Sequence, residues 1–260
     1  MPAPFERLVR FKNHSGEIFY GELGLDDTPT KEDLIGRKVQ VYTGIHPWDE
    51  DFKVLSSQEK IVEFPEEKYP TIFTKPPDAL AGPYDDIPIH KECQLMDYEA
   101  ELCAIIGKDC KNVVTESEAL SCILGYTAGN DVSSRIWQMP ERSGNQHGPS
   151  KSFDKFAPIG PTILSPSVVH SSPEGLSIKT FVNGDKRQDA QTDDLIFDFA
   201  TVICHLTRGA TLRKGTVIMS GTPGGVAAFM KPPQWLKDGD LVEIEIEKIG
   251  RTGNKMVFEA

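Results

Sequence analysis

At 260 residues with 26% charged side chains, the chain has material for one large domain or a domain with a small appendage. Its net charge of −11 argues against a nucleic-acid surface, which needs a basic stripe. Residues 1–10 are mixed and charged with no apolar core, and no apolar run approaches the roughly 20 residues of a membrane span, so the expectation is a cytoplasmic protein without signal peptide or membrane partner.

Leu8–Phe11 and Glu17–Leu23 flank Asn13-His14-Ser15-Gly16, a hairpin signal, and Val39–Tyr42 reads as a third strand. From Tyr42 to Pro70 the sequence is polar and poorly periodic, a linker or lid with room for a short helix over Ser56–Val62. These features predict a small N-terminal β-rich module with its linker over 1–64 and a larger domain over 65–260. The larger domain opens with a predicted strand, Pro70–Lys75, stopped by Pro76-Pro77.

Asp97–Gly107 then reads as a strand that starts polar and ends apolar. Side chains two apart on a strand share a face, so Glu99 and Glu101 project together. Thr115-Glu116-Ser117-Glu118 has the form of a capping box and predicts a helix that Gly125 closes. Strand composition resumes at Tyr126 and ends in Gly129-Asn130-Asp131, so this strand, helix, strand unit places Asp131 beside the glutamate pair. The acids admit two readings: a solvated strand face, or three oxygen ligands for a hard divalent cation, Mg²⁺ first, with Mn²⁺ or Ca²⁺ behind it.

Residues 137–150 read as a loop. Asn183-Gly184 predicts a second hairpin, and a helix with one apolar face is expected over Leu195–Leu206 with Thr192 or Asp193 as cap. Thr216–Ser220 and Gly239–Glu247 complete the strands, the latter with its glutamates on the wet face. So few helices argue for an α+β, β-dominated fold rather than a doubly wound sheet. The five cysteines, Cys93, Cys103, Cys110, Cys122 and Cys204, contain no C-x-x-C pair and read as reduced thiols, not a zinc site.

Several residues near the acids carry chemistry. Lys151 suits the neutralisation of an enolate, and Arg135 with Gln138 suits the clamping of a carboxylate. Gly221-Thr222-Pro223-Gly224-Gly225 lacks the Lys-Ser/Thr ending of a phosphate loop and suits instead a tight turn offering backbone N–H groups and the Thr222 hydroxyl to a carboxylate. Of the six histidines, His46 lies among acids in the expected lid and is the candidate general base.

Taken together, Thr71-Ile72-Phe73-Thr74-Lys75-Pro76, Asp97–Leu102, Gly125-Tyr126 through Asn130–Arg135, Gln138, Lys151-Ser152-Phe153-Asp154, Pro158–Pro161, Val182-Asn183-Gly184 and Ser220–Val226 resemble the fumarylacetoacetate hydrolase family. The resemblance runs in order over about residues 70 to 250. It implies a mixed β-roll, a homodimer, and Mg²⁺ or Mn²⁺ held by Glu99, Glu101 and Asp131. It further implies a small oxo-acid substrate bound by Lys75, Gly221 and Thr222, with Lys151, Arg135 and Gln138 acting on it.

What the resemblance implies about activity is divided. The first reading is C–C bond hydrolysis of acylpyruvates or related 1,3-dioxo acids. Hydrolytic members carry a Tyr-x-x-His-x-x-Glu stretch before the Ile-Phe-Thr-Lys-Pro strand, and here Glu59–Glu63 runs into Phe64–Pro70 with no such His. A second departure is Ile136-Trp137 where an Asp usually follows the arginine. Decarboxylation or tautomerisation of a 2-oxo acid needs no activated water and is the second reading. A third is a catalytically inactive ligand-binding relative, which intact Lys151, Arg135 and Thr222 argue against.

Overall fold

The computed structural model describes residues 5–25, 30–44, 51–64, 68–172 and 174–259. His46 lies outside the described residues. The chain divides into two compact units, Met1–Lys68 and Tyr69–Ala260.

The first unit is a four-stranded antiparallel sheet of β1 (Leu8–Lys12), β2 (Ile18–Glu22), β3 (Lys38–Tyr42) and β4 (Val54–Lys60), with a one-turn helix α1 (Lys31–Leu34) before β3. Asn13 turns the first hairpin: its side-chain oxygen accepts from the N–H groups of Ser15 at 2.9 Å and Glu17 at 3.1 Å. Val9, Phe11, Leu23, Val39, Val41 and Ile61 form its core. The helix expected over Ser56–Val62 does not form: Ser56–Lys60 belongs to β4, and Ile61 and Val62 follow it. Val54–Lys60 pairs along β3 as an edge strand, which needs little burial and therefore shows no clean apolar alternation in sequence.

The second unit opens with three short strands, β5 (Leu80–Ala81), β6 (Ile87–Ile89) and β7 (Met96–Asp97). Next come β8 (Ala100–Ile106), helix α2 (Glu116–Leu120), β9 (Ile123–Asn130) and β10 (Ser133–Ser134). Short helices α3 (Pro140–Ser143) and α4 (Gly148–Lys151) occupy half of the segment expected to be loop. Then follow β11 (Ala157–Leu164), α5 (Pro166–His170), β12 (Ser177–Val182), β13 (Asp185–Gln191) and α6 (Phe199–Leu206). β14 (Val217–Met219), β15 (Leu241–Ile246), β16 (Gly250–Arg251) and β17 (Asn254–Phe258) finish the chain.

Two mixed sheets dominate this unit, one of five strands in the order β14-β8-β9-β11-β5 and one of six in the order β13-β12-β15-β17-β6. Each is antiparallel apart from one parallel edge pair. The fold class is thus α+β and β-dominated. Ala100, Leu102, Ala104 and Ile106 of β8 share one core with Ile178 and Val182 of β12 and Val242, Ile244 and Ile246 of β15. No helix among the described residues is long and apolar enough to cross a membrane.

Three local expectations change. Pro70–Lys75 joins no sheet, despite its strand composition, because it has no ladder partner. Gly125 lies inside β9, whose strand begins at Ile123, rather than ending the helix. The late helix starts at Phe199, capped by Asp198, whose carboxylate accepts from Thr201 N at 2.7 Å. Thr192 is spent elsewhere, accepting from Leu176 N at 2.9 Å.

Candidate metal and active site

The expected single strand over Asp97–Gly107 is interrupted at Tyr98 and Glu99, between β7 and β8. With alternate residues of β8 committed to the core, Glu101 points to the opposite face. β8 and β9 pair antiparallel with Ala100 opposite Asn130 and Glu101 opposite Gly129, so the residue following β9 emerges beside the glutamates. Asp131 N donates to Glu99 O at 2.9 Å, and Glu99 N donates to the Asn130 side chain at 2.9 Å. Glycine at 129 is a steric requirement, since a Cβ there would lie 2.5 Å from Cys103 Sγ and 3.0 Å from Met219 Cε. Glu99, Glu101 and Asp131 are all buried, and one oxygen of each lies within 4.8 Å of the others.

Cations close in on two of the three. Lys151 Nζ, at the end of α4, donates to Glu99 at 2.7 Å, Asp131 at 2.5 Å and the Ser133 hydroxyl at 2.8 Å. Lys75 Nζ lies 2.6 Å from the other oxygen of Asp131. Arg135 forks, with Nε on Asp97 at 2.9 Å and Nη2 on Glu99 at 2.7 Å, and its Nη1 donates to Gln138 at 2.9 Å. Burial opposes charge on all three bases. In Lys151 the Asp131 and Glu99 carboxylates outweigh it and hold the ammonium above its ordinary range, and in Arg135 the Glu99 and Asp97 carboxylates do the same for the guanidinium. In Lys75 burial prevails and lowers the pKa.

Glu101 is different: it forms no ion pair among the described residues and accepts from Gly221 N at 2.6 Å. Burial, and then the charges of Asp131 and Glu99, push its carboxyl up to about 8. Buried oxygens alone, with more negative than positive charge among Asp97, Glu99, Glu101, Asp131, Lys75, Lys151 and Arg135, fit a hard divalent cation, and Glu99, Glu101 and Asp131 are the residues that would hold it.

Of the residues singled out in sequence, Lys75, Arg135, Gln138, Lys151 and Gly221 gather about the carboxylates, His46 lies outside the described residues, and two differ in their partners from what was expected. Gly221 spends its N–H on Glu101 rather than offering it to the cleft. Thr222 touches none of the carboxylates; its hydroxyl accepts from Gln188 at 2.8 Å. The Phe73 ring lies 5.2 Å from Lys151 Nζ and 5.4 Å from the His147 ring, at a cleft edged by Thr71–Thr74 and Asn145–Gly148. Sequence reading missed Asp97 as an anchor. It is fully buried and accepts from Ala227 N at 2.7 Å, Ala228 N at 3.0 Å, Tyr98 N at 2.9 Å and Arg135. Its one visible signal was an acid ahead of an apolar run. Ser133, within reach of Lys151, gave none.

A profile of the fumarylacetoacetate (FAA) hydrolase C-terminal domain matches residues 50–257. The chain belongs to the fumarylacetoacetate hydrolase family. Among curated relatives, it is 42% identical over 193 residues to the mitochondrial oxaloacetate tautomerase fahd2 of Xenopus laevis, covering 74% of this chain and 60% of that protein. It therefore spans about 60% of the length of this family relative. Among solved structures, it resembles the fumarylacetoacetate hydrolase of Exiguobacterium antarcticum, with a TM-score of 0.68 and 28% identity over 97% of this chain and 99% of that one. The 2-hydroxyhepta-2,4-diene-1,7-dioate isomerase of Mycobacterium marinum gives a TM-score of 0.65 and 28% identity over 98% and 99%.

Proposed function

We propose that this family member is a divalent-metal-dependent keto–enol tautomerase of a small 2-oxo dicarboxylic acid of the oxaloacetate kind. The observation that carries the reading is the pair of amines on the two oxygens of Asp131, Lys75 at 2.6 Å and Lys151 at 2.5 Å. Tautomerisation moves one proton from carbon to oxygen of the same molecule. The C–H bond breaks, its electron pair forms the C=C bond, and the carbonyl oxygen takes up a proton; no water is consumed. Lys75, whose proton burial loosens, is suited to carry that proton, while Lys151 stays charged and faces the developing enolate. A bound Mg²⁺ or Mn²⁺ would supply an electron sink for the enolate. Arg135, backed by Gln138, and Thr222 orient the substrate's carboxylates.

The similarity to a curated oxaloacetate tautomerase supports this reading ahead of C–C bond hydrolysis or decarboxylation. The test follows enol absorbance, CO₂ and acid release separately on purified protein with Mg²⁺, using oxaloacetate and an acylpyruvate. Enzyme-accelerated enol–keto exchange without CO₂ or acid is the expected result. Acid release from the acylpyruvate outpacing that exchange would overturn the proposal in favour of hydrolysis.

A further inference from the structure

Gln188, on β13 of the six-stranded sheet, is 1% exposed and reaches across to the five-stranded sheet that carries the carboxylates. Its Oε1 accepts from Ala100 N at 3.1 Å, in the peptide that joins Glu99 to Ala100, and from the Thr180 hydroxyl at 2.6 Å. Its Nε2 donates to Pro223 O at 2.9 Å and to the Thr222 hydroxyl at 2.8 Å. The orientation of the amide is fixed at both ends. A backbone N–H only donates, so the oxygen must face Ala100; a carbonyl only accepts, so the nitrogen must face Pro223. All four sites on the side chain are used.

This polarity passes to Thr222. Its oxygen receives a hydrogen from Gln188, so its own hydroxyl proton is left to donate away from Gln188, and Thr222 is only partly buried. We infer that Gln188 is a positioning residue that sets the Thr222 hydroxyl as a donor to the substrate carboxylate and ties that donor to the start of β8, between Glu99 and Glu101. The inference rests on the proposed reading in which Thr222 holds the carboxylate of a 2-oxo acid. Gln188→Glu keeps the acceptor toward Ala100 and Thr180 but places an acceptor against Thr222, turning the hydroxyl proton inward.

The test titrates oxalate, a flat dicarboxylate resembling an enolised 2-oxo acid, into Mg²⁺-loaded protein by calorimetry. Gln188→Glu and Thr222→Val are each expected to weaken oxalate binding roughly tenfold or more, as loss of a hydrogen bond to a charged group does. The double variant should bind no more weakly than Thr222→Val alone, because one residue acts through the other. KM for oxaloacetate should rise more than kcat falls. Gln188→Met carries the same cycle if the buried glutamate prevents folding. Additive losses, or unchanged oxalate affinity in a folded Gln188 variant, overturn the inference. Wild-type protein that binds oxalate yet accelerates no tautomerisation overturns the proposed function alone, and the cycle still decides Gln188. Absence of oxalate binding by wild type overturns both.

Discussion

Glu101 is the residue on which the pH response of the site turns. Its carboxyl sits at about 8 rather than its ordinary 4.5, so the folded, metal-free protein keeps a proton that the unfolded chain has given up. The sign follows: this contribution to stability is whole below pH 4.5 and is lost as pH rises through about 8. With chelator present, the melting temperature is expected to fall across that window by more in wild type than in Glu101→Gln. Mn²⁺ should displace the proton, with affinity increasing up to about pH 8. Melting curves with chelator and with Mn²⁺ at several pH values check both points. A full Mn²⁺-induced shift in Glu101→Gln would remove Glu101 from the ligand set.

At the scale of elements, β8 and β9 depend on a contact that neither strand advertises. Cys103 fills the space that a side chain at 129 would need. Gly129→Ala is expected to cost about 1–3 kcal/mol, as overpacking does, and Cys103→Ala in the same chain should recover part of it. Chemical denaturation of the two single variants and the double variant measures this, and equal losses with and without Cys103 would contradict it. The same strands show what the sequence made legible. Glu101 faces away from the core by the alternation of β8, and Thr115 caps α2 by accepting from Glu118 N at 3.2 Å, so both could be read from neighbours in the chain. Asp131 followed from a strand, helix, strand unit only one hairpin long. Asp97 could not be read, because its partners at Ala227 and Ala228 lie some 130 residues away. Nor could β4, whose exposed polar side chains carry no period, or the solitary path of Pro70–Lys75, whose residues suit a strand that no neighbour completes.

At the scale of the whole molecule, all three carboxylates and the cations around them belong to the unit Tyr69–Ala260. Mn²⁺ is therefore expected to slow amide hydrogen exchange in β8, β9 and around Gly221, and to leave β1–β4 unchanged. Mass spectrometry of exchange with and without the ion reads this directly; protection confined to β1–β4 would place the ion elsewhere. The chain's overall charge of −11 gives no hint of this centre, where three bases crowd four acids. One tie within it bears on how such a protein could acquire new substrates. Asp97 holds both the turn at Ala227–Phe229 and Arg135, and Arg135 holds Glu99. Substitutions that reshape that turn would pull on a carboxylate of the reactive centre, so variation there comes coupled to lost activity. Asn145 and Gln146, at the other edge of the cleft, bond to Ser143 and to none of the carboxylates among the described residues, and evolutionary drift toward other substrates has its freer path there.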